Sequence, residues 1–467
     1  MKLLFVMPRF GSPYFWPAGI CYAAEAALQA GNNISALNLN HREGSVEDVV
    51  DEWIRNFSPD VVYTGGMALH YEAIKRVVKA VGYHIPVRVG GWVAAGEPEA
   101  VAADMGCEVV KGLGNWPCPK FVDYGRFFFG GWLKEQSESP VFYPYRIVDN
   151  PRPYPIVGSF GCIHACTFCW HPGSYSYRQV DDIELEIRRA KADWGINVVH
   201  FLDDCAAADE RRLLAIAAAM KRQKVMWFAS VPLRAVSRQI MSTLRDSGCF
   251  LLAYGFESHS QPVLDSMRKN IEVSQIEEAY DFTSAAGINV QANFIFGDKA
   301  ETKATADDTI EWWKKNGQGQ IELFLIHPYP QSEIYKTCKD RGQIGNPAKF
   351  LKNRVPTAHL NVYNATDNMT MGEMVRLWLR LAWLRARHYP YVRCGKSPAG
   401  MRFQCPYCGN EGSVTKPKSW SFGIYVLCRK CRARLILTGG WHRLVASPHL
   451  YCVYLWLCRM VNEWRKR

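Results

Sequence analysis

The sequence predicts an α/β protein with an N-terminal doubly wound (Rossmann-like) parallel sheet, a central partial (β/α)6 barrel and a small C-terminal zinc ribbon. Three observations predict this class. Short apolar runs alternate with helical stretches over residues 1–125, six more such pairs follow up to residue 330, and two Cys-x2-Cys pairs lie within 401–440. Because the chain has 467 residues, more than one hydrophobic core is expected.

The composition excludes a disordered chain and points to metal. Apolar residues make up 48% and charged residues 21%, as in globular proteins. The sequence contains no 18 consecutive apolar residues, and its opening MKLLFVMPRF is unlike a secretory signal, so we expect no transmembrane segment and a cytoplasmic location. Cysteines stay reduced in that compartment, and the tight clusters among the sixteen present indicate metal ligands.

Positive charge is concentrated near the C-terminus. The formal net charge is +12, yet residues 376–467 hold 18 Lys and Arg against two acidic residues. A basic module of this kind favours an anionic partner such as nucleic acid, and a solvated basic face is an equal alternative.

The first third alternates strands and helices in the order expected for a doubly wound sheet. The predicted strands are 2–7, 34–39, 59–64, 85–91 and 107–112, and the predicted helices are 19–30, 71–81 and 97–105. In such sheets the ligand crevice lies beyond the carboxyl ends of the strands. The glycines at those ends are candidates for cofactor binding, with tight turns as the alternative: Gly65, Gly66, Gly90, Gly91 and Gly112.

Three segments of this region resemble the cobalamin-binding domain that precedes many radical S-adenosylmethionine (SAM) enzymes. They read PDVVYTGGM (59–67), IPVRVGGWVAAGEPE (85–99) and VVKGLGN (109–115). The resemblance implies a bound cobalamin. The D-x-H-x-x-G loop of corrinoid proteins that ligate cobalt through histidine is absent after the first strand, so no protein histidine is expected on cobalt. The family's acidic G-E-G-E loop reads Gly-Leu-Gly-Asn at 112–115, and a domain that keeps the fold without the corrinoid is the alternative.

The sharpest pattern is GSFGCIHACTFCWHPG at 158–173, in which Cys162, Cys166 and Cys169 form C-x3-C-x2-C. Three thiolates this close can hold a [4Fe–4S] cluster and leave one iron open. An open iron can bind SAM and pass it an electron, which releases a 5′-deoxyadenosyl radical. Zinc is the alternative, with His164 or His171 as the fourth ligand.

This run resembles the signature of the radical SAM superfamily, including the aromatic Phe168 before the third cysteine. Six strand–helix units accompany it, which predicts a partial barrel whose site lies at the carboxyl ends of its strands. The predicted strands are 155–160, 197–202, 225–230, 250–255, 288–296 and 321–326, and the predicted helices are 181–194, 209–221, 237–246, 272–286 and 304–316.

Charged residues follow two of these strands. Asp203 and Asp204 come after the second strand, where a carboxylate can meet the SAM ammonium. Arg234 follows the third, where it can meet the SAM carboxylate. The alternatives are carboxylates that begin a helix and an arginine that neutralises one of them.

Residues after the next two strands match the family's motifs. Glu257, in YGFES, resembles the glutamate that accepts hydrogen bonds from the SAM ribose. The run NFIFGDKAET resembles the family's F-I-x-G-x-x-x-E-T, which implies that Gly297 lets the backbone approach adenine while Ile295 and Phe296 supply apolar contact.

Near the C-terminus, Cys405 and Cys408 form one Cys-x2-Cys pair and Cys428 and Cys431 form a second. Four thiolates at this spacing predict a closed, structural zinc site, and metal-free turns are the alternative. The other nine cysteines lack ligand spacing, and most of them are expected to be buried apolar side chains. The apolar run at 448–461 is expected to pack on the protein rather than lie on a membrane.

The predicted domains follow from these patterns. They are a cobalamin-binding-like domain (1–125), a linker (126–150), a radical SAM partial barrel (151–330), a helical cap or linker (331–400), the zinc ribbon (401–440) and a basic amphipathic tail (441–467).

Together the resemblances imply a cobalamin-dependent radical SAM enzyme, with methylation of an unactivated carbon as the favoured reaction. They also imply an external low-potential electron donor of the flavodoxin or ferredoxin type and a small-molecule, lipid or peptide substrate. Three further functions stay open: cyclisation or oxidative rearrangement with the same layout, modification of RNA through the basic tail, and a non-enzymatic metal scaffold.

Overall fold

The computed structural model describes residues 1–9, 18–67, 70–112, 122, 153–170, 175–317, 319–352, 361–388, 391–393, 395–397, 400–414, 424–428, 430, 434–438 and 453. The chain divides into two compact units. The first contains Met1–Lys134, Tyr329–Gln331 and Lys339–His359, and the second contains Glu135–Pro328, Ser332–Cys338 and Leu360–Arg467.

The first unit is built on a parallel sheet. Its strands are β1 (Lys2–Met7), β2 (Asn33–Asn38), β3 (Val61–Gly65), β4 (Val87–Gly90) and β5 (Glu108–Val109). Its first helices are α1 (Ala18–Gln29), α2 (Val46–Phe57), α3 (Tyr71–Val81), α4 (Trp92–Ala95) and α5 (Pro98–Met105). The strand order is β2-β1-β3-β4-β5 with every pairing parallel, so the topology switches between β1 and β3.

The apolar run KLLFVM forms β1 because a central parallel strand is covered on both faces, and all its residues after Lys2 are buried. Phe5 stacks on Tyr63 of β3 with the ring centroids 4.9 Å apart, and both pack against Ala24 and Ala27 of α1. One layer of helix thus covers the face of the sheet that carries these rings.

The second unit contains a six-stranded parallel sheet with helices between its strands. The strands are β6 (Pro153–Ile156), β9 (Val198–Phe201), β10 (Met226–Ser230), β11 (Cys249–Glu257), β12 (Asn289–Phe296) and β13 (Ile321–Leu325). The helices are α6 (Val180–Trp194), α7 (Glu210–Gln223), α8 (Met241–Asp246), α9 (Gln261–Ser266), α10 (Val273–Ala285) and α11 (Lys303–Trp312). The strand order is β13-β12-β11-β10-β9-β6, in which each strand lies beside the next one along the chain, as in an open barrel.

Further elements follow β6 and β13. Two short strands, β7 (Ser159–Phe160) and β8 (Ser176–Tyr177), pair antiparallel just after β6. After β13 come α12 (Glu333–Asp340), α13 (Pro347–Lys352), which belongs to the first unit, and the long α14 (Met371–His388), which lies against β13.

The C-terminal segment folds into two small sheets. The first comprises β15 (Gly395–Ser397), β16 (Gly400–Gln404) and β17 (Glu411–Val414), and the second comprises β14 (Tyr391–Arg393), β18 (Ile424–Leu427) and β19 (Arg434–Thr438). The β16–β17 and β18–β19 pairs are antiparallel hairpins, and a Cys-x2-Cys motif begins directly after β16 and after β18.

The predicted fold class is confirmed, with a parallel sheet in the first unit and six parallel barrel strands in the second. Structure beyond the prediction includes α2, β8, and helices α12 and α13, where the sequence indicated no regular element, whereas β7 lies within the predicted strand 155–160. The predicted domain boundaries stay predictions, and the apolar run at 448–461 lies outside the described residues except for Val453. Among the described helices, none combines the length and the apolar character needed to cross a membrane.

Candidate active site and metal centres

The three clustered cysteines lie on a loop whose base is closed by the β7–β8 pair. In that pair Ser159 faces Tyr177 and Phe160 faces Ser176. The first turns of the loop are described up to Trp170, and residues 171–174 are outside the described residues. Because β7 follows β6 directly, the loop sits at the carboxyl end of the barrel strands, where the sequence placed the site.

Two arginines hold the base of this loop by its backbone carbonyls. Arg212, on α7, donates to the carbonyl oxygens of Gly158 at 2.9 Å and Arg178 at 3.1 Å, and its guanidinium lies 4.4 Å from the Tyr177 ring centroid. Arg178 donates to the carbonyl of Val157 at 2.8 Å and forms a buried ion pair with Glu186 at 2.7 Å. Neither arginine belongs to a motif, so these roles were not predictable from sequence.

The two adjacent aspartates after β9 have different surroundings. Asp203 is 5% exposed and accepts hydrogen bonds from the Gly158 N–H at 3.0 Å and from the Ser159 hydroxyl. Burial raises its pKa to about 6, although the Gly158 N–H opposes that shift. Asp204 is exposed, and its negative charge acts to raise the pKa values of the Cys162 and Cys169 thiols. Asp203 therefore anchors the loop, and Asp204 lies on the cysteine side.

The three thiols have different pKa values. A hydrogen bond from the Cys205 thiol lowers the pKa of Cys162 to about 6, while burial raises the pKa of Cys169 to about 12 and also raises that of Cys166. Cys205 was expected to be a buried apolar side chain, and its position in the sequence did not predict its hydrogen bond with Cys162.

The three thiols of the loop are not spaced as thiolates are around a single zinc ion. Around one zinc ion, sulfurs at about 2.3 Å from the metal lie about 3.8 Å apart. Cys162, Cys166 and Cys169 are not among the described side chains that bring three ligand atoms within 4.8 Å of one another.

A buried ion pair lies next to the loop. Glu257, at the end of β11, and Lys269 approach to 3.4 Å, and the Lys269 ammonium lies 5.9 Å from the Phe168 ring centroid. Burial raises the pKa of Glu257. Burial acts to lower the pKa of Lys269, but the nearby Glu257 and Cys166 outweigh it, so the lysine pKa is raised. Lys269 places positive charge beside the thiols, which favours a thiolate-bound cluster, and sequence motifs did not predict it.

The backbone at Glu257 is unusual for a residue that is not glycine. Its φ is +62°, in the left-handed region, and the β11–β12 register shifts between Tyr254 and Glu257. A Cβ at Gly255 would lie 2.7 Å from both charged groups of the Glu257–Lys269 pair, so glycine leaves room for them. The strained backbone aims the glutamate into the carboxyl end of the barrel.

The segment after β12 is held by a second buried carboxylate. Glu301 is 1% exposed and accepts hydrogen bonds from the Gly297 N–H at 3.2 Å and the Thr305 hydroxyl at 2.6 Å. Burial raises its pKa to about 7. Gly297 has φ +108°, and a Cβ there would lie 2.9 Å from Met374 of α14. Ile295 is partly buried two residues before it.

Arg234 lies in a short helical turn after β10. It is exposed, and its Nε donates to the carbonyl of Ala208 at 2.9 Å. This contact places it beside the loop that follows Asp203 and Asp204.

Polar side chains line the inner face of the barrel, which sequence motifs did not identify. The outer face meets the helices, because the buried Tyr254 hydroxyl bonds to Thr283 of α10 at 2.9 Å. The opposite face of the last three strands keeps partial exposure, and its members include Gln291, Asn293, Glu322 and Phe324. Alternating exposure of this kind looks like an ordinary amphipathic strand in sequence, so this inner face could not be identified there.

A second candidate metal centre lies in the C-terminal segment. The ligand atoms of Cys405, Cys408 and Cys428 all lie within 4.8 Å of one another, and the Cys408 and Cys428 sulfurs are 3.5 Å apart. Cys431, the predicted fourth ligand, lies outside the described residues.

The glycines of the first unit meet at the carboxyl edge of its sheet. A Cβ at Gly65 would overlap the carbonyl oxygen of Gly90, and one at Gly91 would lie 2.7 Å from that of Gly66. At Gly90 the nearest atom to a Cβ would be the Val110 oxygen at 3.6 Å, and the described residues place none within 4 Å at Gly112. The close approach of the ends of β3 and β4 explains why Gly65 and Gly91 are glycines. Gly90 and Gly112 instead leave an open backbone edge.

Comparison with known families identifies the middle of the chain. Residues 156–312, about a third of the chain, match the model of the Radical SAM superfamily. This span contains the cysteine loop, Asp203, Glu257 and Gly297.

Several characterised or named proteins are similar in sequence. An "uncharacterized methyltransferase" of Pyrococcus horikoshii is 23% identical over 72% of this chain and 83% of its own length. The bacteriochlorophyllide d C-12(1)-methyltransferase of Chlorobaculum tepidum is 27% identical over 40% of this chain and 43% of its own length. An anaerobic magnesium-protoporphyrin IX monomethyl ester cyclase of Rubrivivax gelatinosus is 22% identical over 75% of this chain and 72% of its own length.

Solved structures share the fold. The radical SAM methyltransferase TsrM from Kitasatospora setae, with cobalamin and a [4Fe-4S] cluster, has a TM-score of 0.57 at 14% identity and covers 73% of this chain and 75% of its own. The cobalamin-dependent SAM radical enzyme OxsB has a TM-score of 0.57 at 11% identity and covers 83% of this chain and 67% of its own.

Proposed function

From the premise that residues 156–312 form a radical SAM domain, we propose that this chain is a cobalamin-dependent radical SAM methyltransferase acting on an unactivated carbon. The observation that carries the proposal is the cysteine loop, closed at its base by β7–β8 and flanked by the buried Lys269. When bound, a [4Fe–4S] cluster would supply the electron that cleaves SAM, and cobalamin would supply the methyl carrier.

The cluster would be held by Cys162, Cys166 and Cys169. The low pKa of Cys162 favours its thiolate, and the Lys269 ammonium would offset negative charge on Cys162 and Cys166. Asp203, through Gly158 and Ser159, would orient the loop that carries them.

The SAM contacts would come from residues at the ends of four strands. Asp204 is suited to the SAM ammonium because it is exposed, Arg234 to the carboxylate, and Glu257 to the ribose hydroxyls. The backbone at Gly297, with Ile295 and Phe296 beside it, would meet adenine. Phe168, on the cysteine loop itself, would keep its ring next to the Lys269 ammonium.

Cobalamin would bind at the carboxyl edge of the first unit's sheet. The strand order places a topological switch there, and Gly90 and Gly112 keep that edge free of side chains. Gly65, Gly66 and Gly91 would shape the edge by letting β3 and β4 converge. The similarity in fold to cobalamin-bound TsrM and OxsB supports this placement.

The chain would need a low-potential electron donor, for which a flavodoxin or ferredoxin in the cytoplasm is our proposal. Its substrate would enter the partial barrel past Gln291, Asn293 and Glu322, so we expect a substrate with polar groups, whether small molecule, lipid or peptide. Binding of nucleic acid by the basic C-terminal residues is not favoured.

A second candidate function is radical cyclisation. The Rubrivivax gelatinosus cyclase covers as much of this chain as the methyltransferase relatives do, which favours cyclisation over RNA modification or a metal scaffold. Both functions use the same cysteine loop, and they differ in the fate of the SAM methyl group.

The test is anaerobic reconstitution with iron, sulfide and cobalamin, followed by reaction with SAM carrying a labelled methyl group. We expect near four cluster irons and one cobalt per chain, and label in the product formed from a candidate acceptor. Cleavage of SAM without methyl transfer, in protein that holds no cobalt, would replace the methyltransferase proposal with the cyclase.

A further inference from the structure

The second cysteine group has the geometry of a closed tetrahedral metal site. Zinc–sulfur bonds of about 2.3 Å place thiolates about 3.8 Å apart, which is close to the 3.5 Å between Cys408 and Cys428. A disulfide would need about 2.05 Å, so Cys408 and Cys428 are not disulfide-bonded to each other. A contact between two cysteines alone would also not account for the third thiol, which converges on the same point.

The backbone around these thiols forms a turn suited to metal binding. The Cys405 N–H donates to the Asn410 carbonyl at 2.8 Å, and the Gly409 N–H donates to the Cys405 carbonyl at 2.9 Å. Gly409 adopts φ +70°, in the left-handed region. The turn after β16 therefore presents Cys405 and Cys408, and the residue after β18 presents Cys428, to one point. The sequence spacing predicts Cys431 as the fourth ligand.

The residue just before Cys428 reaches into the base of the barrel. Leu427 is 1% exposed and packs in one apolar cluster with Val198 of β9, Phe228 of β10, and Phe250 and Leu251 of β11. Val198, Phe250 and Leu251 lie at or near the amino ends of their strands, so this cluster is at the end of the barrel opposite to the cysteine loop. At the other hairpin, Tyr407 meets Gly319, just before β13.

We propose that Cys405, Cys408 and Cys428, with Cys431, bind one structural zinc ion that locks Leu427 into the amino end of the partial barrel. An open barrel of six strands leaves apolar side chains at that end exposed to water unless something covers them. The zinc site fixes Cys428, and Leu427 is its neighbour in the chain. Metal binding therefore stabilises β9, β10 and β11, which carry the SAM-binding residues at their opposite ends.

The first measurement is metal content. In a variant with Cys162, Cys166 and Cys169 changed to alanine, we expect one zinc per chain by mass spectrometry of metals, and in Cys428→Ser we expect none. Because each variant changes only one of the two cysteine groups, the pair distinguishes zinc bound at the C-terminal site from metal bound by the cluster cysteines. Zinc retained at wild-type level in Cys428→Ser would overturn the site.

The second measurement is amide hydrogen exchange in β9, β10 and β11. Leu427→Ala should keep zinc, yet exchange in these strands should quicken by roughly tenfold or more, since a buried leucine is lost. Leu435→Ala is the matched control, because Leu435 is equally buried in the ribbon but lies outside the barrel cluster. Removing zinc from the wild type with a chelator should quicken the same strands. Unchanged exchange in both the chelated protein and Leu427→Ala would overturn the locking role.

Discussion

Asp203 and Asp204 are neighbours in the chain with separate tasks in the proposed site. Asp203 is buried and bonds to the loop base, whereas Asp204 is exposed near the thiols. We expect Asp203→Asn to weaken iron binding by about tenfold or more, since residues that orient a metal loop affect metal affinity to that degree. The measurement is iron retained against a chelator.

Asp204→Asn serves as the matched variant. It should retain iron as the wild type does and raise the KM for SAM by about tenfold, the effect of one charge-assisted hydrogen bond. Equal iron loss in both variants would contradict the division of roles.

Glu301 makes the stability of the barrel depend on pH. Its pKa rises from 4.5 to about 7 in the fold because of burial. The folded state therefore holds the proton more tightly than the unfolded state, and this contribution to stability is full below pH 4.5 and is lost as pH rises through 7. Gln is neutral throughout, so Glu301→Gln should gain about 3 kcal/mol relative to the wild type between pH 4.5 and 8.

Urea unfolding of both proteins at several pH values measures this difference. A constant difference in the free energy of unfolding across that range would show that Glu301 is ionised at all these pH values in the fold.

Motifs predicted the cysteine loop, Glu257 and Gly297 as site residues, because cluster and cofactor binding require particular residue types at fixed spacing. The residues that support this loop could not be predicted from sequence. Lys269 and Arg212 act through distances that arise only when α9 and α7 pack beside the loop, and a lysine or arginine in a polar stretch has many ordinary uses.

At the scale of elements, helix and strand periodicity predicted most of the two sheets. The exceptions have physical reasons. Helix α2 buries only Val46, Val49 and Val50, and most of its other residues are charged. Strand β8 has only two residues, too few to show a periodic pattern. The C-terminal hairpins were predicted by cysteine spacing and not by their strands.

Helix α7 positions the cysteine loop through one arginine. Asp209 caps the helix by accepting from the Arg212 N–H at 2.9 Å, and the Arg212 side chain then reaches the carbonyls of Gly158 and Arg178. We expect Arg212→Ala to lower cluster occupancy after reconstitution by roughly tenfold or more. Iron and sulfide per chain would be measured.

The control for this variant is Arg211→Ala, which removes an exposed arginine from the adjacent position of the same helix. It should reconstitute like the wild type. If both variants reconstitute fully, Arg212 has no role in holding the loop.

At the scale of the whole molecule, the proposed reaction requires a cobalamin on the first unit. A Cβ at Gly90 would make only an ordinary contact, 3.6 Å from the Val110 oxygen, so Gly90→Val should fold and yet place a side chain on the edge where cobalamin would lie. We expect this variant to lose cobalamin, measured by absorbance after gel filtration, with its circular dichroism unchanged.

Gly19→Val, on α1, is the matched change, since a Cβ at Gly19 meets no described atom within 4 Å. It should bind cobalamin as the wild type does. Equal binding of cobalamin by both variants would show that the cofactor does not lie at the edge beside Gly90.

The most direct test of the central claim is formation of 5′-deoxyadenosine from SAM by the reduced, reconstituted protein. Cys166→Ala should reduce the product to background, because the cluster loses one of its three ligands. Cys249→Ala, which changes a buried cysteine at the amino end of the barrel, should keep the activity. Wild-type rates of SAM cleavage in Cys166→Ala would contradict the claim that Cys162, Cys166 and Cys169 hold the cluster.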